Sequence, residues 1–186
     1  FKEELDMKLN DRVISKKYAM AYFMSSGENA ELKRNNLKKI IDETEDVMDY
    51  FINPVINPEI KLIILDRVIS ADLKGSLSEM LFSILISTKR ITLIKSISEE
   101  FEKIYLDSKK MVEVELVSKN NLDDTEKKFI SDIFREVTGR TPVVKYVQDK
   151  NIIGGFLMKW DDKVFNSTIN HKIESLKDRI ISKEIL

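Results

Sequence analysis

The chain holds few residues able to do covalent or acid–base chemistry. Cysteine is absent and His171 is the only histidine, so thiolate nucleophiles, Ser–His pairs and multi-histidine metal sites lack their components. Neighbouring carboxylates occur at Glu99-Glu100, Asp123-Asp124 and Asp161-Asp162. Sequence neighbours do not face each other on a helix, and aspartate is favoured at caps and turns, so these pairs read as caps and solvated charges. His171, between Ile169 and Ile173, belongs on the polar side of a helix. Gly154-Gly155 lacks the spaced glycines and trailing lysine of a phosphate loop, and a strand-like run follows it where such a loop would open a helix. No metal-ligand spacing is present either. The expectation is a chain with no catalytic, metal or cofactor-binding residue.

Surfaces carry what remains. Tyr18, Ala21 and Tyr22 share one helix face, and the small Ala19 and Ala21 let a neighbouring helix approach closely. That neighbour is either part of the same bundle or a foreign helix laid into a groove. Trp160 ends an apolar strand and either fills the core or anchors a partner. The stripe Ile169, Ile173, Leu176 and Ile180 divides in the same way.

The elements that must position these surfaces follow from period and punctuation. With 186 residues the chain has room for one large domain or two small ones. Lys and Arg total 31 against 32 Asp and Glu, a net charge of −1 that offers nucleic acid no electrostatic bias. No run of 18 apolar residues exists to span a membrane. Residues 1–10 are charged, without the apolar centre of a signal peptide. The absence of cysteine fits a reducing interior. Five glycines and three prolines in the whole chain argue for long helices.

Ile14, Tyr18, Ala21, Tyr22 and Ser25 predict a helix over about 11–26, ended by Gly27. A second helix is expected from Asn29 to Phe51, stopped by Asn53-Pro54. Asn57-Pro58 caps a third, Gly75-Ser76 precedes a strongly apolar fourth, and Ile91 to Tyr105 marks a fifth. Short breaks between helices predict antiparallel packing in a bundle. The period changes near residue 108. Val112, Val114 and Leu116 alternate with Glu113 and Glu115, a strand with one wet face. Asp123 with Glu126 starts a helix as a capping box, with Gly139 at its end. Over Val143–Trp160 two apolar runs meet at Asp149-Lys150-Asn151, read as a hairpin feeding a final helix. Glycine is unfavourable inside a strand, so Gly154-Gly155 marks a bulge or the close approach of another backbone. The expected architecture is an all-α N-terminal bundle over 1–106 and a small α+β domain with a β-hairpin over 107–186.

From about Val13 to Ile181 the chain resembles the delta subunit of the rotary ATP synthase, the oligomycin-sensitivity-conferring protein family. Lys17-Tyr18-Ala19-Met20-Ala21-Tyr22-Phe23 is similar to the family's opening-helix motif, and Asn53-Pro54 through Lys61 to its Asn-Pro segment. Lys89-Arg90 with Ile94 and Glu100-Phe101 matches a third. Asp149–Thr168, with its Gly-Gly pair and Val-Phe-Asn-Ser-Thr run, matches the most specific. Asp161 stands where a turn glycine is usual, Asn166 where Asp is usual, and Thr88 where Asn is common. The resemblance implies an N-terminal domain of about six helices on the catalytic head, binding N-terminal helices of alpha subunits. It also implies a C-terminal domain binding the b-type subunits of the peripheral stalk. The protein would be a non-catalytic stator lying peripheral to the energy-coupling membrane, on the side of the head. Alpha-subunit contact is expected around Tyr18, Ala21 and Tyr22, and stalk contact around Gly154, Gly155, Phe156 and the closing helix. The alternative is a free-standing helical adaptor unrelated to ATP synthase.

Overall fold

The computed structural model describes residues 2–173 and 175, with side chains from residue 10 onward; Leu176 and Ile180 of the expected closing stripe lie outside them. The chain divides into two compact units, Phe1–Tyr105 and Leu106–Leu186.

The first unit is built from α1 (Lys2–Met24), α2 (Ala30–Thr44), α3 (Met48–Ile52), α4 (Pro58–Val68), α5 (Leu77–Ser87) and α6 (Ile94–Ser108), the last running past the boundary between units. Asn29, Asn57 and Ser76 cap α2, α4 and α5 by accepting a backbone N–H, and Pro58 opens α4. The second helix departs from expectation. The Thr44 hydroxyl donates back to the Ile40 carbonyl at 2.7 Å, and a 3-10 turn at Glu45–Val47 separates α2 from α3. A hydroxyl competing for helix carbonyls at the end of a run favours such a tightened turn. The core holds Leu37, Ile40, Phe51, Leu65, Phe82, Leu85, Ile97 and Phe101, all essentially inaccessible. Phe51 meets Phe82 edge-on at 6.4 Å, and Tyr22 lies 5.1 Å from Phe101.

The second unit contains β1 (Met111–Ser118), α7 (Asp124–Thr138), β2 (Thr141–Gln148), β3 (Phe156–Trp160) and β4 (Lys163–Asn166), followed by helical residues at 169–173. The capping box of Asp123 and Glu126 is formed on both sides, and Gly139 ends α7 in the left-handed region at φ 69°. Sheet order is β2-β1-β3-β4, with β1 parallel to β2 and antiparallel to β3. The expected hairpin between the two apolar runs is therefore corrected: β2 and β3 lie on opposite sides of β1. Val112, Val114 and Leu116 of β1 are buried with Ile130 and Phe134 of α7 and Met158 of β3, so the most apolar strand takes the centre. The hairpin is β3–β4, where Trp160 pairs Lys163 across Asp161-Asp162. Asp161 adopts φ 49° at that turn, a conformation two-residue hairpins favour and aspartate tolerates.

Candidate docking surfaces

Side-chain contacts place α1 between two neighbours. Tyr22 and Phe23 face Phe101 of α6, and Arg12 lies 3.6 Å from Glu100 on the same helix. On the other flank Tyr22 Oη is 2.6 Å from Ser78 Oγ, at the start of α5, and Arg90 Nη1 donates to Tyr18 Oη at 3.3 Å, beyond its end. Later residues of α1 thus meet the beginning of α5 and earlier ones its far end, so the two helices run antiparallel.

This frame separates the residues of the opening stripe. Ser15, Ala19 and Tyr22 are buried. Ile14, Tyr18 and Ser25 are half-buried and Ala21 is exposed. They form a second stripe, rotated toward α5. Tyr22, expected at a partner surface, is only 5% exposed and its hydroxyl donates to the Lys33 carbonyl at 3.1 Å. Burial first, together with the charge of Glu28, pushes its phenol up to about 12 against the hydrogen bond from Ser78. Tyr22 positions the helix, with half-buried Tyr18 and exposed Ala21 beside it. Exposed Met80 and Ile84 supply apolar surface on α5.

Two lysines were missed because their composition class predicts exposure. Lys33 is 2% exposed, and its Nζ donates to the Phe23 and Ser25 carbonyls at 2.9 and 2.5 Å. Those acceptors sit at the end of α1, where carbonyls have no intrahelical partner and carry the negative end of the dipole. Burial lowers the ammonium's pKa and Glu28 partly restores it. Lys61 does the same for α3, donating to the Phe51 carbonyl at 2.7 Å. This is the lysine of the Asn-Pro segment, so the motif closes one helix with the side chain of the next. The available signal was its place after the Asn-Pro break.

In the second unit the glycine pair sits just ahead of β3, in a bend, and serves a close approach as its sequence implied. Ile169 N donates to the Gly154 carbonyl at 2.9 Å, and Ser167 N to the Phe156 carbonyl at 3.0 Å. A Cβ on Gly155 would lie 2.3 Å from the Ser167 oxygen, and φ is +81°; on Gly154 it would meet Ile169 Cδ1 at 2.9 Å. Asn166 Oδ1 accepts from Thr168 N and Oγ1 at 3.0 and 2.7 Å, and Thr168 Oγ1 accepts from His171 N. An amide suffices for that turn. Phe156 is half-buried, 6.1 Å from Phe165, while Trp160 stands edge-on to Phe134 at 5.2 Å and fills the core edge. Phe129, Ile133 and Val137 form an exposed apolar stripe along α7. His171 is exposed. Among the described residues no three His, Cys, Asp or Glu side chains gather to hold a metal ion.

The molecule is thus a two-unit α and α+β protein whose distinctive features are helix-end locks and apolar surfaces. Residues 14–180 match the model of the ATP synthase delta (OSCP) subunit family, and the chain belongs to that family. It is 25% identical over 172 residues to the ATP synthase subunit delta of Desulforudis audaxviator, spanning 90% of this chain and 94% of that protein. To the Fusobacterium nucleatum subunit delta it is 26% identical over 167 residues, 87% of this chain and 95% of the other. Its fold is also that of a chain in the Toxoplasma gondii mitochondrial ATP synthase hexamer, with TM-score 0.65, 14% identity, and coverage of 90% and 97%.

Proposed function

We propose that this protein is the non-catalytic stator subunit of a rotary F-type ATP synthase, joining alpha subunits of the catalytic head to the b-type peripheral stalk. Held this way, the head does not turn with the rotor, and torque goes into ATP synthesis or, in reverse, ion pumping. The family match over residues 14–180 carries this reading, and the free-standing adaptor has no observation in its favour. No described helix is long and apolar enough to cross a membrane, which suits a subunit held beside the energy-coupling membrane by its partners, on the side of the head.

Head contact falls to the α1–α5 groove. Ala21 supplies the low wall that lets a helix approach, Tyr18 the aromatic edge, and Tyr22 the buried bolt behind them. Stalk contact falls to the sheet unit around Phe156, on a surface that Gly154 and Gly155 shape from within. A joint that resists torque must dissociate slowly, and helix-in-groove burial supports that through area and complementarity.

The test is calorimetric titration of the full chain with a peptide of its own organism's alpha-subunit N-terminus. One-to-one binding is expected, with Ala21→Trp abolishing it while the melting temperature stays within about 2 °C, as for a surface substitution. Undiminished affinity in that variant would remove the groove assignment. A folded wild-type chain that ignores the peptide would remove the head-binding role.

A further inference from the structure

We infer that the helical unit contains one helix–turn–helix device twice, over residues 20–41 and 48–69, in which a buried lysine pins the end of the helix before it. The two stretches carry the same residue at eight of 22 positions, each 28 residues from its copy. At the end of the first helix Met20, Tyr22 and Phe23 stand against Met48, Tyr50 and Phe51. In the helix that follows, Asn29, Glu31 and Lys33 stand against Asn57, Glu59 and Lys61, and Leu37 and Ile41 against Leu65 and Ile69. The pin acts inside the bundle and depends on no partner.

Geometry repeats with the residues. Phe23 and Phe51 are each the last residue but one of their helix, α1 and α3. Ser25 N donates to the Ala21 carbonyl at 3.0 Å and Asn53 N to the Asp49 carbonyl at 3.1 Å, the same bond in each copy. Asn29 and Asn57 both cap the next helix from an extended backbone, and their carbonyls accept from Lys33 N and Lys61 N at 3.0 and 3.2 Å. From that position Lys33 and Lys61, 2% and 7% exposed, reach back to the Phe23 and Phe51 carbonyls at 2.9 and 2.7 Å. One turn further on, Leu37 and Leu65 are sealed at 1% exposure each. The connecting turns share only their length of four residues: one holds Gly27 at φ 116°, the other Pro54. Two unlike turns closed by one contact mean that the pin, and not the path of the turn, sets each corner. A charged donor on carbonyls without a helical partner is among the stronger hydrogen bonds, and its loss leaves those acceptors unmet. The copies diverge where their neighbours differ. Tyr22 is buried against Ser78, while Tyr50 is 56% exposed.

The experiment is amide hydrogen exchange on the full chain, comparing wild type with Lys33→Met and Lys61→Met. Lys33→Met should speed exchange about tenfold or more in the last turn of α1 and leave α3 unchanged. Lys61→Met should do the same to the last turn of α3 and leave α1 unchanged. The helices that carry the substitutions, α2 and α4, should keep their protection. Faster exchange confined to the substituted helix, a response at only one of the two corners, or loosening of both corners by a single change overturns the shared device. The unmodified chain supplies a second reading that does not depend on the variants folding. NMR couplings across hydrogen bonds should link Nζ of Lys33 and Lys61 to the carbonyl carbons of Phe23 and Phe51. Ammonium groups that lack those couplings and exchange with water as fast as exposed lysines overturn it as well.

Discussion

The two units close their cores to different degrees. In the helical unit Leu37, Ile40, Phe51, Phe82 and Phe101 are sealed on all sides, and even the cations inside it, Lys33 and Lys61, end on helix carbonyls. In the sheet unit, among the described residues, α7 packs on a sheet of four strands through Ile130 and Phe134. Its core cluster of six residues includes Ile130 and Met158 near 9% exposure, while Phe129 and Val137 on the covering helix are 65% and 78% exposed. Apolar surface left in water is stabilised by burial at roughly 25 cal/mol per Å². Both units nevertheless keep apolar side chains in water, Met24 and Val55 at 75% and 89% in the first and Phe129 and Val137 in the second, so the difference lies in the cores and not the surfaces.

Breaking each unit separately tests that contrast most severely. Phe82→Ala should cost about 3–5 kcal/mol and strip hydrogen-exchange protection from α2, α4 and α5 while β1 stays protected. Gly155→Ala should do the reverse, losing about 3 kcal/mol or more from the sheet unit, because the new Cβ meets the Ser167 carbonyl, in a segment tied to Gly154 and Phe156 by the Ile169 and Ser167 backbone hydrogen bonds. Loss of protection in both units from either change would mean that they unfold as one.

A smaller effect isolates the lock on α1. Lys33→Met keeps the apolar stem but leaves the Phe23 and Ser25 carbonyls without their donor, at a cost of about 1–3 kcal/mol in chemical denaturation. An unchanged midpoint would show that water serves those carbonyls equally well.

Alkaline pH probes the buried phenol. Tyr22 has its pKa raised in the folded state from the ordinary 10 to about 12. Its contribution is complete below pH 10 and disappears as pH climbs through 12, since the unfolded chain ionises first. Stability of the bundle should therefore fall across that window, and Tyr22→Phe should flatten the fall while lowering stability near neutrality by about 1 kcal/mol.

The smallest expected change is at the β3–β4 turn. Asp161→Gly relieves a left-handed non-glycine residue but loses the 2.9 Å ion pair with Arg140. Exposed pairs contribute about 0–1 kcal/mol, and Arg140 keeps Asp107 and the Met111 carbonyl. A net gain of roughly 0.5 kcal/mol is expected, and a lower melting temperature would show that the pair outweighs the strain.

Much of this was legible beforehand, unevenly. The caps at Asn57-Pro58, Asp123 with Glu126, and Gly139 stand where their residue types put them. The close approach at Gly154-Gly155 was also readable, since only a missing side chain admits a carbonyl at that distance. The division of the opening stripe was not. Tyr18, Ala21 and Tyr22 share one apolar period, and a helix with neighbours on two flanks buries whichever part faces inward. Arg90 joined Tyr18 only once α1 and α5 lay side by side.

By itself, then, the sequence determined the capped helix ends at Asn57, Asp123 and Gly139, the change from helical to strand period near residue 108, and the family, but not the start of α1 at Lys2 or the break after Thr44, because caps, turns and periodicity are settled by residues within about four positions of one another. Tertiary structure alone decided that β1 would take the centre of the sheet, that Tyr22 would turn inward beside an outward Ala21, and that Lys33 would be buried. Each of those depends on partners far along the chain, and a local pattern admits several such partners until the packed core selects one.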